Sequence, residues 1–589
     1  MLLSAGTTVP QPMSFEHRPS PSRVTEAAAA AFPRWALFGL LALYIVPGLF
    51  GRQPWSTEDA SAFGVAWSMA TGSSLDWWLP SVAGEPLPEE GPLPFWIGAL
   101  LVRALGTWLG AIDAARLVSV LWFALGTWAL WYSTYRLARR DEAQPVALAF
   151  GGEASPRNYG RMLADVSVLL LIATFGVIAR LHETGAESAL LALTCVTLFG
   201  LAYSLDNPWT GTAVAGAALG AVALTRGLLP VAVLGLASVS FALSFGTRRA
   251  ERAMILVALA VAIFALWPLG AWMAHPQAAD SYFTAWWHWN RTAVGAPGIE
   301  NLLWLLRNVC WYAWPLWPFA LWTIYSWRHF LRRPHIALPL LFAAAGLVAT
   351  LLAADASERE FLLTIPPLVI LATFGVSSLK RTAEDAIDWF SLALFTLAFA
   401  ALWLYFVAWN SGIPPKMAAS MARLTPDFEP EVAFWPVAVA ASATVAWIAM
   451  AIWRIRERPP MIWTGPFMAA GGLALIGPAA VALYAPAVDY ARSYASIATV
   501  LGQQVQRTGG ATCVEAVSLP LGVRAMLAYH GHIKFERPAD AGLCRVAIQR
   551  DSRRSLSDDA PPVGRWTLAY EVTRRARFDE VFRVWVRAN

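Results

Sequence analysis

Long apolar stretches alternate with short polar joins along nearly the whole chain. The clearest cover roughly 34–50, 113–136, 160–180, 186–204, 211–226, 228–246, 253–274, 304–325, 335–353, 360–379, 387–409, 433–453 and 462–485. Each is near the ~20 residues that an apolar helix needs to cross a bilayer. The pattern predicts a polytopic α-helical membrane protein with about thirteen spans. One further stretch, PFWIGALLVRALGTWLG over 94–110, is not decided by hydropathy alone.

Charge decides it. Arginine and lysine gather at Arg136, Arg139 and Arg140, at TRRAER (247–252), at RHFLRRP (328–334), at Lys380–Arg381 and at RIRER (454–458). Short loops rich in these residues stay on the cytoplasmic side. The segments 51–112, 181–186, 275–303, 354–360 and 410–432 then face outward. Residues 94–110 would begin and end outside, so they are predicted to lie along the interface, where Arg103 is tolerated. An inside N-terminus and an outside C-terminus follow.

Composition agrees with the pattern. The chain has 589 residues, of which 57% are hydrophobic and only 14% charged, too few to cover a soluble surface of that size. The formal charge of +5 comes from arginines scattered at span ends, which argues against nucleic acid as a partner. Residues 1–33 are polar, with Pro and Arg and no signal-peptide core, and read as a disordered cytoplasmic tail. Residues 34–485 form the membrane domain. Residues 486–589 differ: YASIATVLGQQVQ is helical in period, while CRVAIQ, WTLAYEV and VFRVWV are strand-like. They predict a small α/β domain on the outer, periplasmic face. Cys513 and Cys544 both fall there and could pair in an oxidising compartment, whereas Cys195 and Cys310 sit in or beside apolar spans.

The acids concentrate on the outward segments. The first outer loop (51–112) holds Glu58, Asp59, Asp76, Glu85, Glu89 and Glu90; the second (275–303) holds Asp280, His288 and Arg291 among aromatics; the short loop DASERE holds Asp355, Glu358, Arg359 and Glu360. Loops of this kind converge at the interface, where burial and neighbours tune carboxylates for catalysis. Glu58 and Asp59 open an amphipathic segment, so capping of free helix N–H groups stands beside catalysis as an explanation for them. His288, between tryptophans, fits interfacial packing as well as ligation. No CxxC, HExxH, GxGxxG or phosphate loop occurs, so no nucleotide cofactor is expected.

The order of motifs resembles the GT-C glycosyltransferases of the lipid A aminoarabinose transferase and protein mannosyltransferase group. Their first outer loop reads approximately D-E-x-R-Y, then G-D-W-x-x-P, then E-K-P-P-L-x-Y-W. This chain has EDASAFGVAWSM (58–69), then LDWWLPSVAGEPLPEEGPLPFW (75–96) and ALGTWLGAIDAARLVSVL. ARLHETGAESALL (179–191), ALTRGLLP (223–230) and REFLLTIPPLVILA (359–372) continue the likeness over nearly the whole chain. The resemblance implies transfer of a sugar from a polyprenyl-phosphate donor to a lipid, glycan or protein acceptor at the periplasmic face of a bacterial inner membrane. Glu58 takes the place of the family's catalytic Asp and Asp59 that of the Glu beside it. Glu89 and His288 match positions near a divalent cation (zinc, manganese or magnesium). Glu90 replaces a lysine at a substrate-binding position, so Arg291, Arg359 and Arg180 are the cations left to hold the donor phosphate. A transporter or flippase of a lipid-linked substrate is the alternative class, though the acids lie at outer ends and no internal repeat is visible. A polysaccharide polymerase or ligase would differ only in its acceptor.

Overall fold

The computed structural model describes residues 20–148, 151–457, 461–509, 513–537, 544–552, 566–574, 576 and 580–587. Helices fall on the predicted apolar stretches. They include Arg34–Ile45, Ala111–Ala138, Pro156–Ile172, Glu187–Ser204, Pro208–Ala223, Leu228–Ser244, Arg249–Ala274, Pro334–Leu352, Arg381–Ser411, Phe434–Glu457 and Thr464–Arg492. Among the described residues, eight helical stretches are long and apolar enough to cross a membrane. Two predicted spans are broken. That at 304–325 divides into Ile299–Tyr312 and Leu316–Ser326 around Pro315, which has no N–H to continue the ladder. That at 160–180 stops at Ile172 and resumes as the short helix Val177–Leu181. Between the two, Gly176 lies against the ring of Tyr312, where a Cβ would sit 2.3 Å from a ring carbon.

The bundle keeps apolar side chains on its outside as well as its inside. The Arg249–Ala274 helix leaves Met254, Val261, Leu266 and Met273 exposed, and the Phe434–Glu457 helix does the same with Trp435, Val445 and Ile448. A surface of this kind is stable against lipid and not against water. The interior is packed by Tyr159, Leu163, Leu169, Leu198, Phe342 and Phe374, among others. The expected tail is packed from Ser20 onward, which corrects the disordered reading for residues 20–33. Val24 and Phe32 are buried, Phe32 rests on Trp463 and Phe467, and its N–H donates to Asp165 at 3.1 Å. Residues 1–19 lie outside the described residues.

The stretch predicted to lie along the interface forms the helix Leu93–Leu109, packed on Thr57–Thr71 and Ala111–Ala138. The first loop also carries a hairpin of β1 (Ser81–Val82) and β2 (Glu85–Pro86). The C-terminal unit has four strands: β3 (Val514–Val517), β4 (Val546–Ser552), β5 (Trp566–Thr573) and β6 (Glu580–Arg587), in the order β3-β4-β6-β5. β3 and β4 run parallel and the other pairs antiparallel. Helices Ala495–Arg507 and Leu521–Gly531 cover one face through Leu501, Val505 and Leu527 against Ile548, Phe582 and Val584. The Cys513–Cys544 disulfide is formed, joining the approaches to β3 and β4.

This unit is clamped onto the first loop. The Leu521–Gly531 helix packs on Thr57–Thr71, and a Cβ at Gly64 would sit 2.6 Å from that of Ala525, so only glycine allows the approach. Arg524 pairs with Glu85 at 3.1 Å and Arg537 with Asp76 at 3.1 Å. Tyr529 stands edge-on to Phe63 and Trp67.

Candidate active site

Ser56 caps the Thr57–Thr71 helix, its hydroxyl accepting from the Asp59 N–H at 3.0 Å. The cap fixes the direction of the first turn, and neighbouring side chains there point about 100° apart. Asp59 turns inward and is only 1% exposed. One of its oxygens accepts from Arg116 at 3.0 Å and lies 3.5 Å from Arg52; the other accepts from the Thr184 N–H at 2.9 Å. Burial alone would raise this carboxyl, but the two guanidiniums and the Thr184 N–H outweigh it and hold it below its ordinary value. Glu58 turns outward. Its side chain makes no hydrogen bond or ion pair among the described residues, and it lines a cleft with Ser61, Glu89, Glu90, Glu187 and Arg359.

An alternating network of acids and arginines backs this cleft. Arg226 joins Glu90 and Glu360, each at 3.3 Å; Arg359 joins Glu187 at 2.9 Å and reaches Glu90 at 4.0 Å; Arg180 joins Glu183 at 3.0 Å and Glu358 at 3.2 Å. Glu183 also accepts from the Ser56 hydroxyl at 2.8 Å, which ties the network to the helix cap. Backbone pairing of Glu90 with Arg226 fixes the register between the first loop and the end of Pro208–Ala223. Burial pushes the Glu90 carboxyl up to about 7 against the pull of Arg226 and Arg359, and one of its oxygens has no hydrogen-bond partner. Burial and the nearby Asp59 push Glu183 up to about 7 as well. Glu90 shares the cleft with the Glu58 carboxylate, while Glu183 lies behind it on the helix cap. The cleft holds about 40 Å³, and Leu521 of the C-terminal unit forms part of its wall.

No family model matches the chain, and no curated protein matches it in sequence. Solved structures do. The chain folds like ArnT. The crystal structure of ArnT from Cupriavidus metallidurans bound to undecaprenyl phosphate aligns at a TM-score of 0.64, with 18% identity, over 93% of this chain and 98% of that one. The apo structure of the same protein aligns at 0.61, with 18% identity, over 93% of this chain and 96% of that one. The fold expected from the motif order is therefore shared over 93% of the chain.

Within this ArnT-like frame the sequence-derived candidates separate. Glu58, Glu89, Glu90 and Arg359 share the cleft. Arg180 stands behind it with two glutamates. Asp59 is withdrawn into its ion pairs. Arg291 and His288 are exposed on the helix Pro276–Thr292 and do not line the cleft. Glu89 and His288 gain no third ligand: among the described residues no group of three or more His, Cys, Asp or Glu is placed to hold a metal ion. Glu89 lines the cleft and His288 does not, so the two as placed do not form a donor set for the divalent cation. Sequence reasoning passed over Arg116, Arg226, Glu183 and Glu187. Their signal was a charged residue inside or beside an apolar run, as in AIDAARLVSVL and ALTRGLLP.

Proposed function

We propose that the chain is a membrane glycosyltransferase that moves a sugar from a polyprenyl-phosphate donor to an acceptor hydroxyl at the acidic end of the bundle. The observation that carries this reading is the free Glu58 carboxylate beside Arg359, on a fold shared with a protein crystallised with undecaprenyl phosphate. Glu58 takes the proton of the acceptor hydroxyl as its oxygen attacks the anomeric carbon. The bond from that carbon to the phosphate oxygen breaks, polyprenyl phosphate leaves, and the anomeric centre inverts. Arg359 and Arg226 bind the phosphate by exchanging a glutamate partner for it, an exchange favoured when Glu90 is protonated. Asp59 positions Glu58 and does not react.

The arginine clusters at the other end of the bundle support a bacterial inner-membrane protein whose acidic end and C-terminal unit face the periplasm. Cysteine-accessibility labelling after Arg136 and Arg454, and within 486–509, checks this orientation; labelling of all three from one side contradicts it. The reaction is tested with purified protein, undecaprenyl-phosphate-linked sugars and acceptors offered in turn. Consumption of donor that depends on an acceptor and on Glu58 is expected. A donor left intact with every acceptor removes the proposal.

A further inference from the structure

The acidic cleft has two kinds of wall. Glu58, Glu89, Glu90, Glu187 and Arg359 form the charged one, drawn from the first loop and the bundle. The apolar one includes Ala62, Leu87 and Phe95 of the first loop and is completed by Leu521. Among the described residues, Leu521 is the part of the cleft that the C-terminal unit supplies.

Leu521 is half-buried and firmly placed. It opens the helix Leu521–Gly531, which joins two cores. Val523 and Leu527 pack with Ile548 and Phe582 of the sheet, while Ala525 and Met526 pack into the cluster of the first loop. Gly522 lies against Thr57, next to Glu58, where a Cβ would sit 2.4 Å from the Thr57 carbonyl oxygen. The turn that leads from β3 into the helix passes through Ser518 at φ +53°, a left-handed conformation that a non-glycine residue adopts at a cost. The cleft is narrow as well. Its 40 Å³ holds only a few waters at roughly 10–15 Å³ each, so every wall side chain affects what enters.

We infer that Leu521 is a specificity-determining residue, which selects a hydroxyl carried on an uncharged carbon framework over water as the nucleophile. The inference rests on the transfer reaction proposed above. There the donor phosphate takes Arg359 and Arg226, both from the bundle, which leaves the apolar wall to the group that Glu58 deprotonates. An alcohol and water react alike. The oxygen bonds to the anomeric carbon, its proton goes to Glu58, and the bond from that carbon to the phosphate oxygen breaks as polyprenyl phosphate leaves. They differ in contact: an alcohol removes C–H surface from water by resting on Leu521, and water itself gains nothing from that wall. The activated sugar is thereby kept for the acceptor and away from hydrolysis.

The test gives the purified full chain undecaprenyl-phosphate-linked sugars in water, with 1-butanol as the neutral alcohol probe. The ratio of butyl glycoside to free sugar reads the selection. Leu521→Ala should lower this ratio about ten-fold, the low end of what a lost contact in an apolar pocket removes, with donor affinity and melting temperature unchanged. Leu521→Met keeps the apolar contact and should keep the ratio. An unchanged ratio in Leu521→Ala, an equal loss in Leu521→Met, or weakened donor binding in either variant would overturn the role of Leu521 and leave the transferase standing. A donor that the wild type leaves intact in every mixture would remove the transferase and this inference together.

Discussion

Replacing Asp59 by Asn separates a structural acid from a reacting one. The asparagine oxygen still accepts from the Thr184 N–H, but Arg116 and Arg52 lose their shared counter-charge. Arg116 is fully buried, so no water takes the place of the carboxylate. Breaking one side of such a pair costs about 3–5 kcal/mol. Arg116 keeps the Arg52 carbonyl at 2.6 Å and Asp113 at 3.7 Å, which places the expectation near the lower bound, about 3 kcal/mol. Thermal unfolding in detergent, followed by tryptophan fluorescence, reads the loss beside a turnover assay on the folded fraction. Asp59→Asn should melt well below the wild type at pH 7, while Glu58→Gln should melt with it.

The pH dependence has a fixed sign. The native Asp59 carboxyl is held below its unfolded value of about 3.8, so its contribution is complete above that value. It is lost as pH falls through the depressed native value, so the gap between wild type and Asp59→Asn should close in acid. An Asp59→Asn protein as stable as the wild type, yet slowed as much as Glu58→Gln, would refute this division of roles and make Asp59 the base.

Glu58→Gln should lower turnover by about 10²–10⁴-fold with donor affinity unchanged, the usual range for a general base; full activity in steady-state assays would remove Glu58 from the mechanism. Arg359→Ala should weaken donor binding by roughly 10- to 100-fold, since a hydrogen bond to a charged group contributes about 1.5–3 kcal/mol, and an unchanged Kd would show that the phosphate binds elsewhere. Glu90 binds a proton in the folded state up to about pH 7 that the unfolded chain releases near 4.5. Stability should therefore fall as pH rises through that window, and Glu90→Gln should flatten the slope. A slope identical in both proteins would assign it to Glu183 or another group.

The apolar helices were legible because a bilayer imposes a single length and polarity on each crossing, while arginine asymmetry supplies an expectation of sidedness. The broken helices at Ile172 and Pro315 escaped because hydropathy does not register a missing hydrogen bond. The order of residues 20–33 escaped for a different reason. Their contacts, such as Phe32 with Trp463 and Ser22 with the Ser377 carbonyl at 3.3 Å, span more than 300 residues of chain. The first-loop acids stood out by their clustering, but a linear reading placed Arg291 and His288 beside them. Their helix carries both to an exposed face instead.

The acid pair shows how two adjacent residues come to face different surroundings. Glu58 and Asp59 differ by one methylene and one position, and a helix turns that one position into roughly 100° of direction. Inward lies a pair of buried guanidiniums that needs a permanent counter-charge, so the acid facing it must stay ionised and fixed. Outward lies a cleft with one arginine and several carboxylates, where an acid without a partner keeps the lone pair that a general base uses. The same N-cap serves both, because the Ser56 hydroxyl accepts from the Asp59 N–H and donates a hydrogen bond to Glu183. Capping and catalysis, which read as competing explanations along the sequence, fall to different groups of one helical turn: the cap to Ser56, the ion pair to Asp59, and, in the proposed mechanism, the proton transfer to Glu58.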